Sequence, residues 1–180
     1  ADPVGGGFVK SLAHPGGNIT GCSNMSGDIS SKQLEMLRDM VPKLSRVMVL
    51  VNPGNPSRTA LTNIQAAAGS IGVTIVALDA RTPQEIEDAF SQMARQKAGA
   101  LIVTRDAFFN QQVRQIAELA AKNRLPTIAG LREYAEADGL MSYGNSVTEQ
   151  WRRAANFVDR ILKSAKPGDL PIEQPTKFEM

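Results

Sequence analysis

The apolar run Arg46–Val51 constrains the fold of this chain more than any other stretch. Its sequence, RVMVLV, is rich in β-branched residues, which predicts a strand buried on both faces, as in a parallel sheet. The polar loop at residues 52–56 (NPGNP) ends the strand, and Asn55 and Pro56 suit the N-cap and the first turn of a helix. Open α/β sheets bind ligands where such strands end and helices begin. Asn52 and Asn55 are therefore the first candidates for ligand binding.

The same strand-to-helix pattern recurs over about 100 residues. Short connections between alternating strands and helices predict an α/β fold with a doubly wound five-stranded parallel sheet, to which we assign the strand order 2-1-3-4-5. The predicted strands are residues 46–51, 73–78, 98–104, 127–129 and 140–143. The predicted helices are residues 29–41, residues 56–70, one from a capping box at 82–85, one capped by Asp106 or Asn110, and residues 131–137.

This strand order places the topological switch point between the first and third strands, where a ligand site is expected. Of the polar residues that follow these strands, Asn52 and Asn55 can hydrogen-bond a ligand carboxylate or amide, and Asp106 can receive a ligand amine. Thr104 lies beside Asp106 in the sequence and is included in the predicted site. The alternative for the two asparagines and Asp106 is a local role as turn-former or helix N-cap.

Three further positions lie near the same predicted edge of the sheet. Arg105 can clamp a carboxylate with two parallel hydrogen bonds, although we favour a solvated side chain. Tyr143 ends the fifth strand and can stack on a flat ligand, or it can pack at the crossing that follows. One of residues 132–134 (REY) is also expected to face this edge, and the sequence does not select which.

The composition excludes several classes of function. The net charge is +2 and the charges are scattered, so no nucleic-acid-binding stripe stands out. No apolar run approaches the roughly 20 residues of a membrane span. The single cysteine, Cys22, and the single histidine, His14, argue against an intrachain disulfide or a structural zinc site. No Ser-His-Asp, Cys-His or nucleotide-binding motif is present. We therefore expect no cofactor, no metal site and no enzymatic activity.

The two ends of the chain do not continue this pattern. A short helix capped by Asp2 is predicted to run to about Ala13, and residues 171–178 are predicted to be an extended edge strand. Residues 147–163 predict a long helix with an apolar stripe, in which Trp151 is expected to lie in the core or at a lobe interface. Because the predicted sheet is complete by Tyr143, these segments are assigned to a second lobe. Both ends of the chain look cut, so a fragment of a longer, processed protein is expected.

Five stretches resemble one known family. Residues 2–5 (DPVG) and 12–21 (LAHPGGNITG) are similar to its "DPVG…LARPGGNITG" segment. Residues 140–144 (LMSYG), 152–155 (RRAA) and 170–179 (LPIEQPTKFE) match it as well. On these residues the chain is identified as a member of the ABC-transporter substrate-binding proteins of the tryptophan-binding-like group, which have the type I periplasmic-binding-protein fold.

The resemblance implies two α/β lobes that close on a ligand, a location outside the cytoplasmic membrane, and a permease as partner. Relative to the family, most of the first lobe is missing. Residues 1–24 are then a remnant of lobe 1 with the first crossover, residues 25–144 are lobe 2, and residues 145–180 return to lobe 1. A helix at 147–163 without its partner is expected to fold back on lobe 2 or to pair with another chain, giving a fragment dimer.

The function predicted from these observations is a solute receptor for uptake that binds a small molecule such as an amino acid in the cleft between the lobes. A ligand-sensing domain of a receptor or regulator with the same fold is the first alternative. An enzyme with a flavodoxin-like or Rossmann-like fold is the second, and it lacks support because no catalytic constellation was found.

Overall fold

The structure is a computed structural model that describes residues 3–55 and 59–180, with Ser26 described by its backbone alone. Within these residues the chain divides into two compact units. The sheet unit comprises Ser26–Gly144 and Glu179–Met180, and the terminal unit comprises the residues up to Met25 together with Asn145–Phe178. Each unit is described by itself below.

In the described part of the sheet unit, five parallel strands form one sheet in the order β2-β1-β3-β4-β5. This confirms the predicted fold class and strand order. In register, Leu50 of the central strand lies between Leu78 on one side and Val103 on the other. The strands are β1 (Arg46–Val51), β2 (Thr74–Asp79), β3 (Ala100–Val103), β4 (Thr127–Ala129) and β5 (Met141–Ser142).

Helices connect these strands and cover both faces of the sheet. Alternate residues of β1 point to opposite faces, so Val47 and Val49 pack in one buried cluster while Met48 and Leu50 pack in the other. This two-sided burial is why the strand has no polar face in its sequence. The helices are α1 (Ser26–Met40), α2 (Thr59–Ile71), α3 (Pro83–Arg95), α4 (Ala107–Gln111), α5 (Val113–Lys122) and α6 (Arg132–Glu136).

Local sequence signals account for several helix boundaries. Half of the predicted capping box at α3 is present, because Thr82 Oγ1 accepts from Glu85 N at 3.2 Å. The Glu85 carboxylate accepts from Arg81 N at 2.5 Å, one residue before the cap, and not from Thr82 N. The helix predicted after the third strand is instead two helices, because the chain leaves helical geometry at Gln112. The first turn predicted for the helix after β1 includes Pro56, which lies outside the described residues.

One prediction of secondary structure in the terminal unit is wrong. Residues 3–13, predicted to be helical, form turns and bends instead. Glycine costs about 1 kcal/mol relative to alanine within a helix, and residues 5–7 are three consecutive glycines. Gly7 has a φ of +70°, which ends any right-handed helical path there. The predicted cap, Asp2, lies outside the described residues.

The long helix of the terminal unit is α7 (Val147–Leu162), capped by Ser146, whose hydroxyl accepts from Glu149 N at 3.4 Å. Phe157 is its buried residue, whereas Trp151 is 72% exposed and Leu162 is 81% exposed. Trp151 is therefore not in the core, which contradicts that half of the expectation. The lobe-interface alternative for Trp151 stays a prediction.

The extended tail is shorter as a strand than predicted. Residues 171–177 form no strand, although Glu173 makes a parallel bridge with Cys22 in the terminal unit. The two-residue strands β6 (Gly144–Asn145) and β7 (Phe178–Glu179) pair with each other. Among the described helices, none is long and apolar enough to cross a membrane.

A close backbone approach makes glycine necessary at residue 144. Tyr143 N donates to Ala129 O at 2.9 Å, which draws the chain across the end of β4. A Cβ atom on Gly144 would lie 2.1 Å from the carbonyl oxygen of Gly130. Because this neighbour is backbone, a side chain there can be accommodated only if the chain shifts.

Replacing Gly144 by alanine is expected to lower the free energy of unfolding of this chain by about 1–3 kcal/mol, as overpacking does elsewhere. The measurement is urea unfolding followed by circular dichroism. Gly69→Ala is the matched control, because a Cβ there meets nothing within 4 Å. It lies in α2 and should raise stability by roughly 0.5–1 kcal/mol. Equal effects of the two substitutions would contradict the steric explanation.

The free energy of unfolding is expected to depend on pH through Tyr134. Its side chain is 1% exposed in the core of the sheet unit, and burial raises its pKa from the usual 10 to about 12. Above pH 10 the unfolded state loses this proton first, so stability should fall by roughly 1.4 kcal/mol per pH unit until about pH 12. Comparing urea unfolding of the wild-type chain and Tyr134→Phe from pH 8 to 12 isolates this slope. A slope that persists in Tyr134→Phe, or vanishes in Tyr143→Phe, would assign it to another group.

Candidate functional site

Asp106 is the centre of a hydrogen-bonded cluster at the end of β1 and β3. Its Oδ1 accepts from Asn52 Nδ2 at 2.9 Å, and its Oδ2 accepts from Asn55 Nδ2 at 3.0 Å. The structure thus brings together three of the residues predicted from the sequence, although Asp106 lies 54 positions from Asn52 and 51 from Asn55. The cluster lies where the order of strands reverses, which is the switch point of a doubly wound sheet.

The local sequence shapes the loop after β1. Asn52 Oδ1 accepts from Gly54 N at 2.8 Å, and the Asn52 carbonyl accepts from Asn55 N at 3.0 Å. This is the turn that an asparagine followed by Pro-Gly favours. It explains why both asparagine amides face the same carboxylate. The turn-forming role considered for Asn52 is therefore present, and the amide still contacts Asp106.

Asp106 also has the local role that its sequence position suggested. Its Oδ1 accepts from Phe108 N at 2.9 Å, so Asp106 is the N-cap of α4. Of the two caps considered for this helix, Asp106 is the one used, and Asn110 lies within α4. The carboxylate is half-buried, so it faces partly toward solvent while three protein groups among the described residues donate to it.

Thr104 links the ends of the two strands at the switch point. Its Oγ1 donates to Leu50 O at 2.7 Å, and its backbone N donates to the same carbonyl at 3.2 Å. The hydroxyl proton is therefore engaged within the protein. The hydroxyl oxygen can still accept a hydrogen bond, so a ligand contact at Thr104 stays a prediction.

Arg105 is not the solvated side chain that we favoured. It is half-buried and lines a pocket at the ends of β3 and β4. Burial lowers the pKa of its guanidinium, and the nearby Glu133 carboxylate acts in the opposite direction. The sequence did not indicate this environment, because it depends on how α4, α5 and α6 close around the side chain. Arg105 is the functional candidate that sequence reasoning undervalued.

The structure separates the three residues at 132–134. Arg132 is exposed and pairs with Glu136 at 2.8 Å on the outer face of α6. Tyr134 is buried in the core, and Glu133 is exposed and lines the pocket that contains Arg105. Glu133 and Tyr134 therefore both line this pocket, Glu133 from the exposed side and Tyr134 from the core, whereas Arg132 does not.

Tyr143 lies at the end of the sheet unit, half-buried, and is held through its backbone. Gln33 Nε2 donates to Tyr143 O at 2.8 Å. Gln33 belongs to α1 and is 2% exposed, so a buried amide fixes the chain at this point. The sequence signal for this contact is a glutamine on the apolar side of the helix predicted at residues 29–41, and no contact was predicted from it.

No group of three or more His, Cys, Asp or Glu residues within residues 3–55 and 59–180 is arranged to hold a metal ion. The chemistry available at the switch point is that of hydrogen bonding and charge. The Asp106 carboxylate and the amides of Asn52 and Asn55 lie at the ends of β1 and β3. Arg105 lines the pocket at the ends of β3 and β4. Such a site can bind a small polar ligand.

Comparison with known proteins identifies relatives of this chain. The model of the family described as "ABC transporter substrate binding protein" matches residues 1–180. The chain is 27% identical over 173 residues to the tyrosine-binding protein of Clostridioides difficile (strain R20291), and this match covers 95% of the chain. It covers 49% of that relative, so the chain spans about half of the relative's length.

Two solved structures share the fold over 99% of this chain. One is a conserved domain protein from Vibrio cholerae, with a TM-score of 0.89, 23% identity and 60% of its chain covered. The other is an ABC domain in complex with L-Trp from Streptococcus pneumonia, with a TM-score of 0.87, 24% identity and 62% of its chain covered. With the match to the family along its whole length, this chain belongs to the ABC transporter substrate-binding proteins and has the type I periplasmic-binding-protein fold.

Proposed function

We propose that this chain is part of an extracytoplasmic, or periplasmic, solute-binding protein of an ABC importer, and that it binds an amino acid in a cleft between two lobes. The family to which the chain belongs supports transport, since it is a family of transport binding proteins and not of enzymes. In this proposal residues 25–144 are lobe 2, and residues 1–24 and 145–180 belong to lobe 1. A permease is the partner that receives the ligand.

The observation that carries the proposal is the cluster around Asp106. An ionised carboxylate offers about four acceptor positions, and among the described residues three protein groups donate to it. A ligand ammonium is the natural occupant of the remaining position, because hydrogen bonds between unlike charges are the strong ones. Asn52 and Asn55 hold the carboxylate in place, and the Asn52 amide carries a second N–H that can donate to the ligand.

Aromatic amino acids are the first ligands to test. The curated relative is a tyrosine-binding protein, and the Streptococcus structure is a complex with L-Trp. Tyr143 offers a flat ring on which an aromatic side chain can stack. The Thr104 hydroxyl oxygen can accept a hydrogen bond from the ligand. These two roles are proposed together with those of Asn52, Asn55 and Asp106.

Asp106→Asn in the full-length gene product is expected to weaken amino-acid binding by about 10–100-fold, because a charged hydrogen bond is worth about 1.5–3 kcal/mol. Isothermal titration calorimetry with L-tyrosine, L-tryptophan and the other common amino acids measures the affinities. Asp88→Asn is the matched control, since Asp88 is exposed on α3. The unfolding midpoint of each variant shows whether loss of the helix cap has disturbed the fold.

A wild-type protein that binds no amino acid would refute the proposed ligand class. Unchanged affinity in Asp106→Asn would remove Asp106 from the site. The alternative function, a ligand-sensing domain of a receptor or regulator, would gain support if the gene also encoded a DNA-binding motif. A neighbouring permease gene would support uptake instead.

We also propose that the 180-residue chain on its own pairs through α7. Trp151, Val158 and Leu162 lie on one side of this helix and are exposed, and soluble monomers rarely leave large apolar patches uncovered. Trp151→Ser with Leu162→Ser is expected to shift the chain from dimer to monomer in light scattering. Leu140→Ser, another exposed leucine, is the control. A wild-type monomer whose Trp151 fluorescence is fully quenched by a solvent-borne quencher would contradict pairing.

A further inference from the structure

Gln33 is a polar residue on the buried side of α1. Its side chain is 2% exposed, and Leu37, one helical turn further along, belongs to a buried cluster of the sheet unit. Burying a carboxamide is unfavourable unless its polar atoms are hydrogen-bonded. A glutamine at this position therefore indicates a requirement that an apolar side chain does not meet.

The Gln33 amide bonds the chain at the point where β5 has ended. Its Nε2 donates to Tyr143 O at 2.8 Å, while Tyr143 N donates to Ala129 O at 2.9 Å. The backbone of Tyr143 is therefore held from two sides, by α1 and by the end of β4. Because β4 ends at Ala129 and Leu131 is already the N-cap of α6, the donor to this carbonyl comes from a helix side chain.

The space around the Gln33 amide is filled by backbone. A Cβ atom on Gly130 would lie 3.7 Å from Gln33 Nε2, and a Cβ atom on Gly144 would lie 2.1 Å from Gly130 O. Three segments of the sheet unit thus meet here, namely α1, the end of β4 and the end of β5. In such close packing a displacement of one segment shifts its neighbours, so loss of the Gln33 donor is expected to move Tyr143.

The position of the Tyr143 backbone limits where its ring can lie. The backbone fixes the direction of the Cα–Cβ bond, and the side chain is then restricted to a few rotamers. The Tyr143 side chain packs in part against the buried cluster that contains Leu34 and Leu37 of α1, and the residue is half-buried. Contacts with α1 therefore hold both the backbone of Tyr143 and one side of its ring.

We propose that Gln33 is a positioning residue of the ligand site, which fixes Tyr143 so that its ring is placed to stack on an aromatic amino acid. This inference rests on the proposed function, and it goes beyond it by assigning a residue that does not touch the ligand. A side chain that is already ordered in the free protein loses less conformational freedom on binding, which increases affinity. The alternative is that Gln33 serves only the stability of the fold.

The experiment is a double-mutant cycle on the full-length gene product, with the aromatic amino acid that wild type binds most tightly. Gln33→Met removes the donor, keeps an unbranched side chain, and should weaken binding by about 3–10-fold. Tyr143→Ala removes the ring and should weaken binding as well. In the Tyr143→Ala background, Gln33→Met should change the affinity by less than about twofold, because no ring remains to be positioned.

Gln115→Met is the matched control. Gln115 Nε2 also donates to a backbone carbonyl of another element, Pro83 O, at 3.1 Å. Its helix, α5, covers the face of the sheet opposite to the cluster against which Tyr143 packs. Both glutamine variants are expected to lower the unfolding midpoint, and only Gln33→Met should weaken binding in isothermal titration calorimetry.

Two further measurements keep the test decisive if Gln33→Met does not fold. Gln33→His keeps an N–H donor on the side chain and should retain more of the wild-type affinity than Gln33→Met or, where that variant is unfolded, than Gln33→Leu. Fluorine NMR of the protein labelled with 3-fluorotyrosine reports the ring directly. The Tyr143 resonance, assigned by its loss in Tyr143→Phe, should shift in the Gln33 variants, whereas that of buried Tyr134 should not.

The opposite results would overturn the inference. Losses that add in the double-mutant cycle would show that Gln33 acts on stability alone, and unchanged affinity in Gln33→Met would show that it does not act on binding. A Tyr143→Ala variant that binds as tightly as wild type would remove the ring from the site. In each of these cases amino-acid binding by wild type would leave the proposed function intact. A wild type that binds no amino acid would overturn the proposed function and this inference together.

Discussion

Burial of β1 on both faces is the constraint on which the rest of the structure depends. Val47 and Val49 pack against one layer of helices, and Met48 and Leu50 pack against the other. Polar side chains can lie only at the ends of such a strand, because every buried position along it is apolar. The loop after β1 is therefore where the chain can place amides, and the parallel strand β3 brings Asp106 to the same edge.

The cluster at this edge shows one set of residues serving two purposes. Asp106 satisfies an N–H at the start of α4 while also accepting from both asparagines. Asn52 forms the turn after β1 with its side-chain oxygen and contacts Asp106 with its nitrogen. Local and ligand-binding roles were posed as alternatives in the sequence, yet the hydrogen-bond inventory of a carboxylate and an amide has room for both.

The sheet, its strand order and the convergence of Asn52, Asn55 and Asp106 could be predicted from the sequence, because each follows from local periodicity and from a general rule of parallel sheets. The environment of Arg105 could not, since its burial depends on how side chains from α4, α5 and α6 pack together at the ends of β3 and β4. Likewise the contact from Gln33 to Tyr143 O joins residues 110 positions apart. The helix predicted at residues 3–13 failed because three glycines outweigh a favourable cap.

The carbonyl of Leu50 accepts from both the backbone and the hydroxyl of Thr104, which occupies both of its lone pairs. This carbonyl at the end of the central strand is thereby closed to an incoming molecule. A ligand in the proposed site would meet side chains there instead, and those of Asn52 and Asp106 also form a turn and cap a helix. A change of specificity at this edge would therefore also change the local stability of the scaffold.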